Sequence, residues 1–150
     1  MARLLLTNGA DANAKYLGNQ TPASNEGVSQ ALIEYGADSN ARDRHNRTLL
    51  HWAMEWGCVD AAQVLLGNGV DANARDDKNR TPLHVASEEG LLDGVRLLLQ
   101  HSANIHARDG ADQTPFQVAS VSAPISDINR KHQDVMQLLM EHGAEDHRMQ

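Results

Sequence analysis

The stretch from Thr81 to Ala107 reads TPLHVASEEGLLDGVRLLLQHSANIHA, and its reading decides the fold. Two short apolar helical patterns lie on either side of Gly90, and a polar loop follows the second. Upstream, Thr48 to Ala74 reads TLLHWAMEWGCVDAAQVLLGNGVDANA, a near-copy. Thr48, Thr81 and Thr114 stand at one constant interval, and Ala37, Val70 and Ala103 repeat it. A fixed period between about 20 and 50 residues marks a stacked repeat protein, whose units bury their apolar faces only against their neighbours.

Within the unit at 75–107, Thr81 is positioned as an N-cap and Pro82 as the first helical residue, where its fixed φ and missing N–H do no harm. Gly90 ends the first helix, a place suited to positive φ. Leu91, Val95, Leu98 and Leu99 then follow helical spacing, as do Val59, Ala62, Leu65 and Leu66 one unit earlier. Gly69 stops the second helix of the unit at 42–74. Ser102 takes that place in the next unit, which predicts a modestly weaker C-cap. The polar runs Arg42–Arg47 and Arg75–Arg80 read as tips between units.

The flanks are less regular. Residues 1–14 match the tail of a unit whose first helix is absent, so Leu4, Leu5 and Leu6 lack a covering helix. That pattern predicts a piece of a longer array, with end-to-end association through Leu4–Leu6 as a further expectation for an otherwise monomeric chain. Residues 15–41 form a shortened unit, because Thr21 stands closer to Gly36 than Thr48 does to Gly69. The loss falls on the first helix, near 22–27. The unit at 108–150 is longer than the others, with Thr114 and Gly143 set further apart and the excess near 120–131. Pro124 breaks any helix there. Ser126, with Asp127 beside it, is expected to cap a longer final helix that runs to about Glu141 and turns Val135, Leu138 and Leu139 inward.

Composition narrows the function classes. The chain of 150 residues suits one domain, and its net charge of −7 argues against nucleic acid, whose phosphates need a basic footprint. Its single cysteine, Cys58, forms no internal disulfide and points to a reducing, intracellular compartment, cytoplasmic or nuclear. No run approaches the roughly 20 apolar residues of a membrane span.

With TPLHVASEEG, the LLL run and DANA in view, the chain resembles the ankyrin repeat family over nearly its whole length. The resemblance implies an all-α solenoid of helix–loop–helix units with short β-hairpin-like loops. Its concave face would consist of the loop tips and the first helices. It also implies a protein-interaction module without catalysis or cofactor, binding another protein through variable positions. His51 and His84 fall on the family's TPLH histidine, implying a structural bond from loop to helix and from unit to unit. Gln117 replaces them in the last unit and can still donate and accept.

Metal and enzyme chemistry have little to rest on. His101 and His106 lack the spacing and cysteine partners of a zinc site. No nucleophile elbow, Walker or HExxH pattern occurs. Cys58 stands at a helix start, which lowers a thiol pKa, but Asp60 opposes that. No metal site and no enzyme activity are expected.

The expected contact surface spans the loop tips and the ends of the first helices. At the tips stand Arg44, His45 and Arg47, then Asp77, Lys78 and Arg80, with Gln113 further on. Behind them stand Glu55, Glu88 and Glu89. That division predicts acidic partner groups at the tips and basic or amide groups at the helices. Trp52 aligns with Val85 and Val118, which points to core, whereas Trp56 aligns with Glu89 and points outward. Trp56 is then either an interface anchor, as exposed tryptophans often are, or a cover over the shortened unit at 15–41. A segment that only spaces or caps other repeats is the alternative to a binding role.

Overall fold

The computed structural model describes residues 42–123 and 130–144, and within them there are six helices and no strand. In chain order they are α1 (Leu49–Glu55), α2 (Val59–Gly67), α3 (Pro82–Glu88), α4 (Leu92–Gln100), α5 (Pro115–Ser122) and α6 (Lys131–Glu141). Helices of seven to nine residues are marginal alone, so packing rather than propensity must hold most of them. Each of the three described units contributes two helices that pack against each other. α1, α3 and α5 pack in one row, and α2, α4 and α6 in a second row behind it. The first row's core is continuous from unit to unit: Leu50, Leu83 and Phe116 hold the same place in successive units and are all fully buried. Leu65, Leu98 and Leu139 form the corresponding buried line in the second row.

Local chemistry sets the helix boundaries. Thr48, Thr81 and Thr114 have extended backbone, and each side chain accepts from the backbone N–H three residues on. The side chains of His51, His84 and Gln117 return the bond to the N-cap N–H, completing a capping box in each of the three described units. Gly90, with φ +65°, turns the chain from α3 into α4. A Cβ there would stand 3.1 Å from Lys131 and His132 of α6, so the position also needs glycine for space. Its counterpart in the last unit is Ala123, which has φ −64° and ends α5 in extended backbone. Ala123 therefore does not repeat the left-handed turn that Gly90 makes one unit earlier.

α6 ends at Glu141, where the sequence places its end, with Val135 and Leu139 fully buried and Leu138 partly so. It starts at Lys131 behind Arg130, which has a left-handed φ of +55° and gives no side-chain cap. Pro124, Ser126 and Asp127, the half unit at 1–14, the shortened unit at 15–41 and Leu4–Leu6 lie outside the described residues. Ser102 takes the left-handed conformation (φ +64°) that Gly69 takes one unit earlier (φ +83°). An L-residue in that conformation is strained by roughly 1 kcal/mol, which is the weaker C-cap the sequence predicts.

Candidate functional site

Each tip is built on an aspartate. The Asp43, Asp76 and Asp109 Oδ1 atoms each accept from the backbone N–H two and four residues on, at 2.8–2.9 Å. The aspartate N–H donates to the carbonyl four residues on, at 2.9–3.0 Å, closing a hairpin-like turn. Asn46, Asn79 and Asp112 provide the left-handed residue it requires. Successive tips are joined by Asp77 N–H to the His45 carbonyl (3.0 Å) and Gly110 N–H to the Lys78 carbonyl (2.8 Å). A Cβ on Gly110 would come 3.0 Å from that carbonyl, so glycine permits the approach. Arg42 and Arg75 each reach 33 residues ahead to the carbonyls of Arg75 and Arg108, at 2.6 and 2.7 Å.

Two histidines fasten the units from inside. His51 Nε2 donates to the Arg80 carbonyl at 2.9 Å, and His84 Nε2 donates to the Gln113 carbonyl at 2.8 Å. A carbonyl only accepts, so Nε2 carries the proton and Nδ1 is left to accept from the N–H of Thr48 or Thr81. Both rings are therefore neutral. Burial holds their pKa values below the ordinary imidazole value, against the opposing pull of the two carbonyls and of Asp76 and Asp109. The resemblance implied this tie of loop to helix and of unit to unit, and the geometry contains it.

Structure divides the expected contact residues into two groups. Arg47 and Arg80 are not free tips. Arg47 Nε donates to Asp43 Oδ2 at 3.0 Å and its Nη1 to Glu55 Oε2 at 3.3 Å. Arg80 repeats the pattern on Asp76 and Glu88, both at 3.0 Å. Each guanidinium clamps a tip to the end of the first helix behind it. Gln113, at the same place in the last unit, is half-buried, and its backbone is taken up by His84 and Asp109. His45 and Asp77 are exposed and face each other at 3.3 Å across the unit boundary. Arg44, Lys78, Glu55, Glu88, Glu89 and Trp56 lie on the surface.

Trp52 departs from its expected place. It packs against the core only in part, and Nε1 donates to Asp43 Oδ2 at 3.3 Å. The indole N–H must find an acceptor when covered, and the Asp43 carboxylate of the tip provides it. Trp52 is thus the middle layer of a stack. The Arg47 guanidinium lies 4.1 Å from the Trp52 ring centroid. Trp56 lies parallel to Trp52, 6.3 Å between centroids and 6° between planes. Trp56 keeps 48% of its surface exposed. The four-residue spacing of the tryptophans already puts them on one helix face, whereas the Arg47 guanidinium, five residues before Trp52, is the layer that sequence reasoning missed.

One unit on from Trp56 stands Glu89. Burial raises its pKa first, then the carboxylates of Glu88 and Glu55, with His132 opposing. His132 itself donates from Nε2 to the Glu88 carbonyl at 2.9 Å, fastening α6 to the end of α3. Asp43 shows the reverse balance. Burial alone would raise its pKa, but the N–H bonds from Arg47 and His45 and the Arg47 guanidinium outweigh it and hold the value low. For Cys58, burial and then Asp60 push the thiol above its ordinary value, which favours the unreactive thiol. Among the described residues, no three His, Cys, Asp or Glu side chains are grouped to hold a metal ion, and no helix is long and apolar enough to cross a membrane.

Comparison with known proteins agrees with this architecture. A family model described as ankyrin repeats in three copies matches residues 1–76, 23–109 and 68–150. An ankyrin repeat protein of Pyrobaculum aerophilum is 49% identical over 37 residues, a span covering 25% of this chain and 14% of that relative.

Proposed function

Because the chain belongs to the ankyrin repeat family, whose repeats are in general protein–protein interaction modules, we propose that it binds a protein partner across the face made by α1, α3, α5 and their tips. The observation that supports this most is Trp56. An exposed indole held against a second ring is a rigid apolar surface whose ordering precedes binding, so burying it loses little entropy. Anchors of this type dominate interface energetics, and truncating one typically costs about 2 kcal/mol or more. Around it, the exposed Arg44 and Lys78 offer charge at the rim. Arg47 and Arg80 contribute by holding the tips in place, a positioning role.

The test is selection of binders from an unbiased peptide display library, followed by affinity measurement on two variants. Trp56→Ala should weaken the selected binders by about thirtyfold, as loss of an anchor worth about 2 kcal/mol requires. Gln63→Ala, an exposed change on α2 in the second row, should leave them unchanged. Equal affinity for both variants, with helical circular dichroism intact, would remove the face from consideration.

A further inference from the structure

The surface positions at the ends of α1, α3 and α5 form an ordered row. Trp56 and Glu55 end the first helix, Glu89 and Glu88 the second, and Ser122 and Val121 the third, in register from unit to unit. Val121 is 73% exposed, the most exposed large apolar side chain of the described residues. Across this row the surface passes from aromatic and acidic, through acidic, to apolar.

Its charge is unbalanced. The Glu55 and Glu88 carboxylates each receive one guanidinium, from Arg47 and Arg80, whereas the Glu89 carboxylate has no hydrogen bond or ion pair among the described residues. Three carboxylates thus face two guanidiniums, with Lys131 and His132 of α6 beside Gly90 as the further basic groups nearby. The elevated proton affinity of Glu89, caused partly by Glu88 and Glu55, reports the same excess of negative potential. The aromatic stack also shows what it accepts, since one face of Trp52 already holds the Arg47 guanidinium at 4.1 Å. Trp56 continues that stack outward with nearly parallel geometry.

Resting on the interaction reading above, we infer that the partner presents an extended, arginine-bearing segment laid across this row. One guanidinium covers Trp56 beside Glu55, a second meets Glu88 and Glu89, and an apolar side chain reaches Val121. Spacing supports the match. Packed helices lie about 8–10 Å apart, and a polyproline II segment advances about 9 Å for every three residues while returning to the same edge. Side chains at every third residue therefore meet successive helices. The partner's charge accords with the surface, because a guanidinium desolvated between a ring face and a carboxylate gains both cation–π and charge-assisted hydrogen bonding.

The probe is a fluorescein-labelled synthetic peptide, Arg-Pro-Ser-Arg-Pro-Ser-Leu, read by fluorescence anisotropy beside a twin with glutamate in place of both arginines. The first peptide should bind saturably and quench tryptophan emission, the twin should be at least about tenfold weaker, and added salt should weaken binding. Trp56→Ala and Glu89→Gln should each weaken it by about fivefold to tenfold, with helical signal and urea midpoint confirming that both variants fold. No saturable binding of the arginine peptide, or equal binding of the twin, overturns the inference. The display selection separates this failure from that of the broader reading. Selected peptides that depend on Trp56 but lack basic residues leave the interaction face standing and remove only the arginine-bearing partner.

Discussion

The unit at 75–107 and the unit that follows it share a capping box, an aspartate-centred tip and a fully buried pair of helix cores, yet they are fastened differently. In the first, His84 reaches the next unit's carbonyl, Arg75 reaches another 33 residues away, and Arg80 joins its tip to Glu88. In the second, Gln117 keeps the cap through Oε1 to the Thr114 N–H at 2.9 Å. Arg108, like Arg75, bonds the carbonyl four residues on, and it adds the Asp112 carboxylate where Arg75 adds the Arg108 carbonyl. Gln113 and Val121 replace the Arg80–Glu88 pair, so both halves of the clamp are changed together. α6, brought in after the extra residues, contributes His132 to the Glu88 carbonyl in their place. The lesson is that the capping box and the aspartate tip recur in both units, while the bonds that join one unit to the next change with the side chain standing at each repeat position.

The largest effect that sharpens this contrast comes from the second-row core. Leu98→Ala should cost about 3–5 kcal/mol, because the site is enclosed by neighbours on both sides and cannot collapse. Leu139→Ala, at the equivalent position of α6, should cost less, toward about 2 kcal/mol, since α6 packs against α4 and α5 and has exposed residues on its remaining face. Urea titrations of both variants would check the order, and equal costs would mean that the two units are equally enclosed.

An intermediate effect comes from the histidine. His84→Ala strips the Gln113 carbonyl and the Thr81 N–H of partners and leaves a cavity, for an expected loss of about 3 kcal/mol. His84→Gln, which copies the last unit, should keep the cap and lose about 1–2 kcal/mol. The same residue makes stability depend on pH. His51 and His84 are depressed below the ordinary value of 6.5, so below that pH the unfolded chain binds more protons than the folded one. The stability they contribute is complete above about pH 6.5 and is lost as pH falls through their folded values, by at most about 1.4 kcal/mol per pH unit for each histidine. Unfolding free energy measured from pH 7 down to pH 5 should fall less steeply in His84→Gln. An unchanged slope would show that His84 does not carry it.

The smallest effect concerns Ser102. Ser102→Gly should relieve its left-handed strain and stabilise the chain by about 0.5–1 kcal/mol, raising the melting temperature by a few degrees at most. A neutral result would indicate that the extra freedom of glycine in the unfolded chain offsets the relieved strain.

By itself the sequence determined the period, the helix pairs, the threonine caps, the glycine turns and the outward direction of Trp56. These rest on helical spacings and on the repeat interval itself, which a linear pattern records. Only the tertiary structure decided which charges are spent and which remain. Arg47 and Arg80 read as free cations at polar tips, but each meets a carboxylate four residues away and another eight residues away once tip and helix fold together. Trp52 aligns with buried valines, yet its indole N–H requires an acceptor and finds it in the Asp43 carboxylate of the tip. Such pairings depend on where side chains converge in space, and alignment to the neighbouring units, which lack a tryptophan there, carries no record of them.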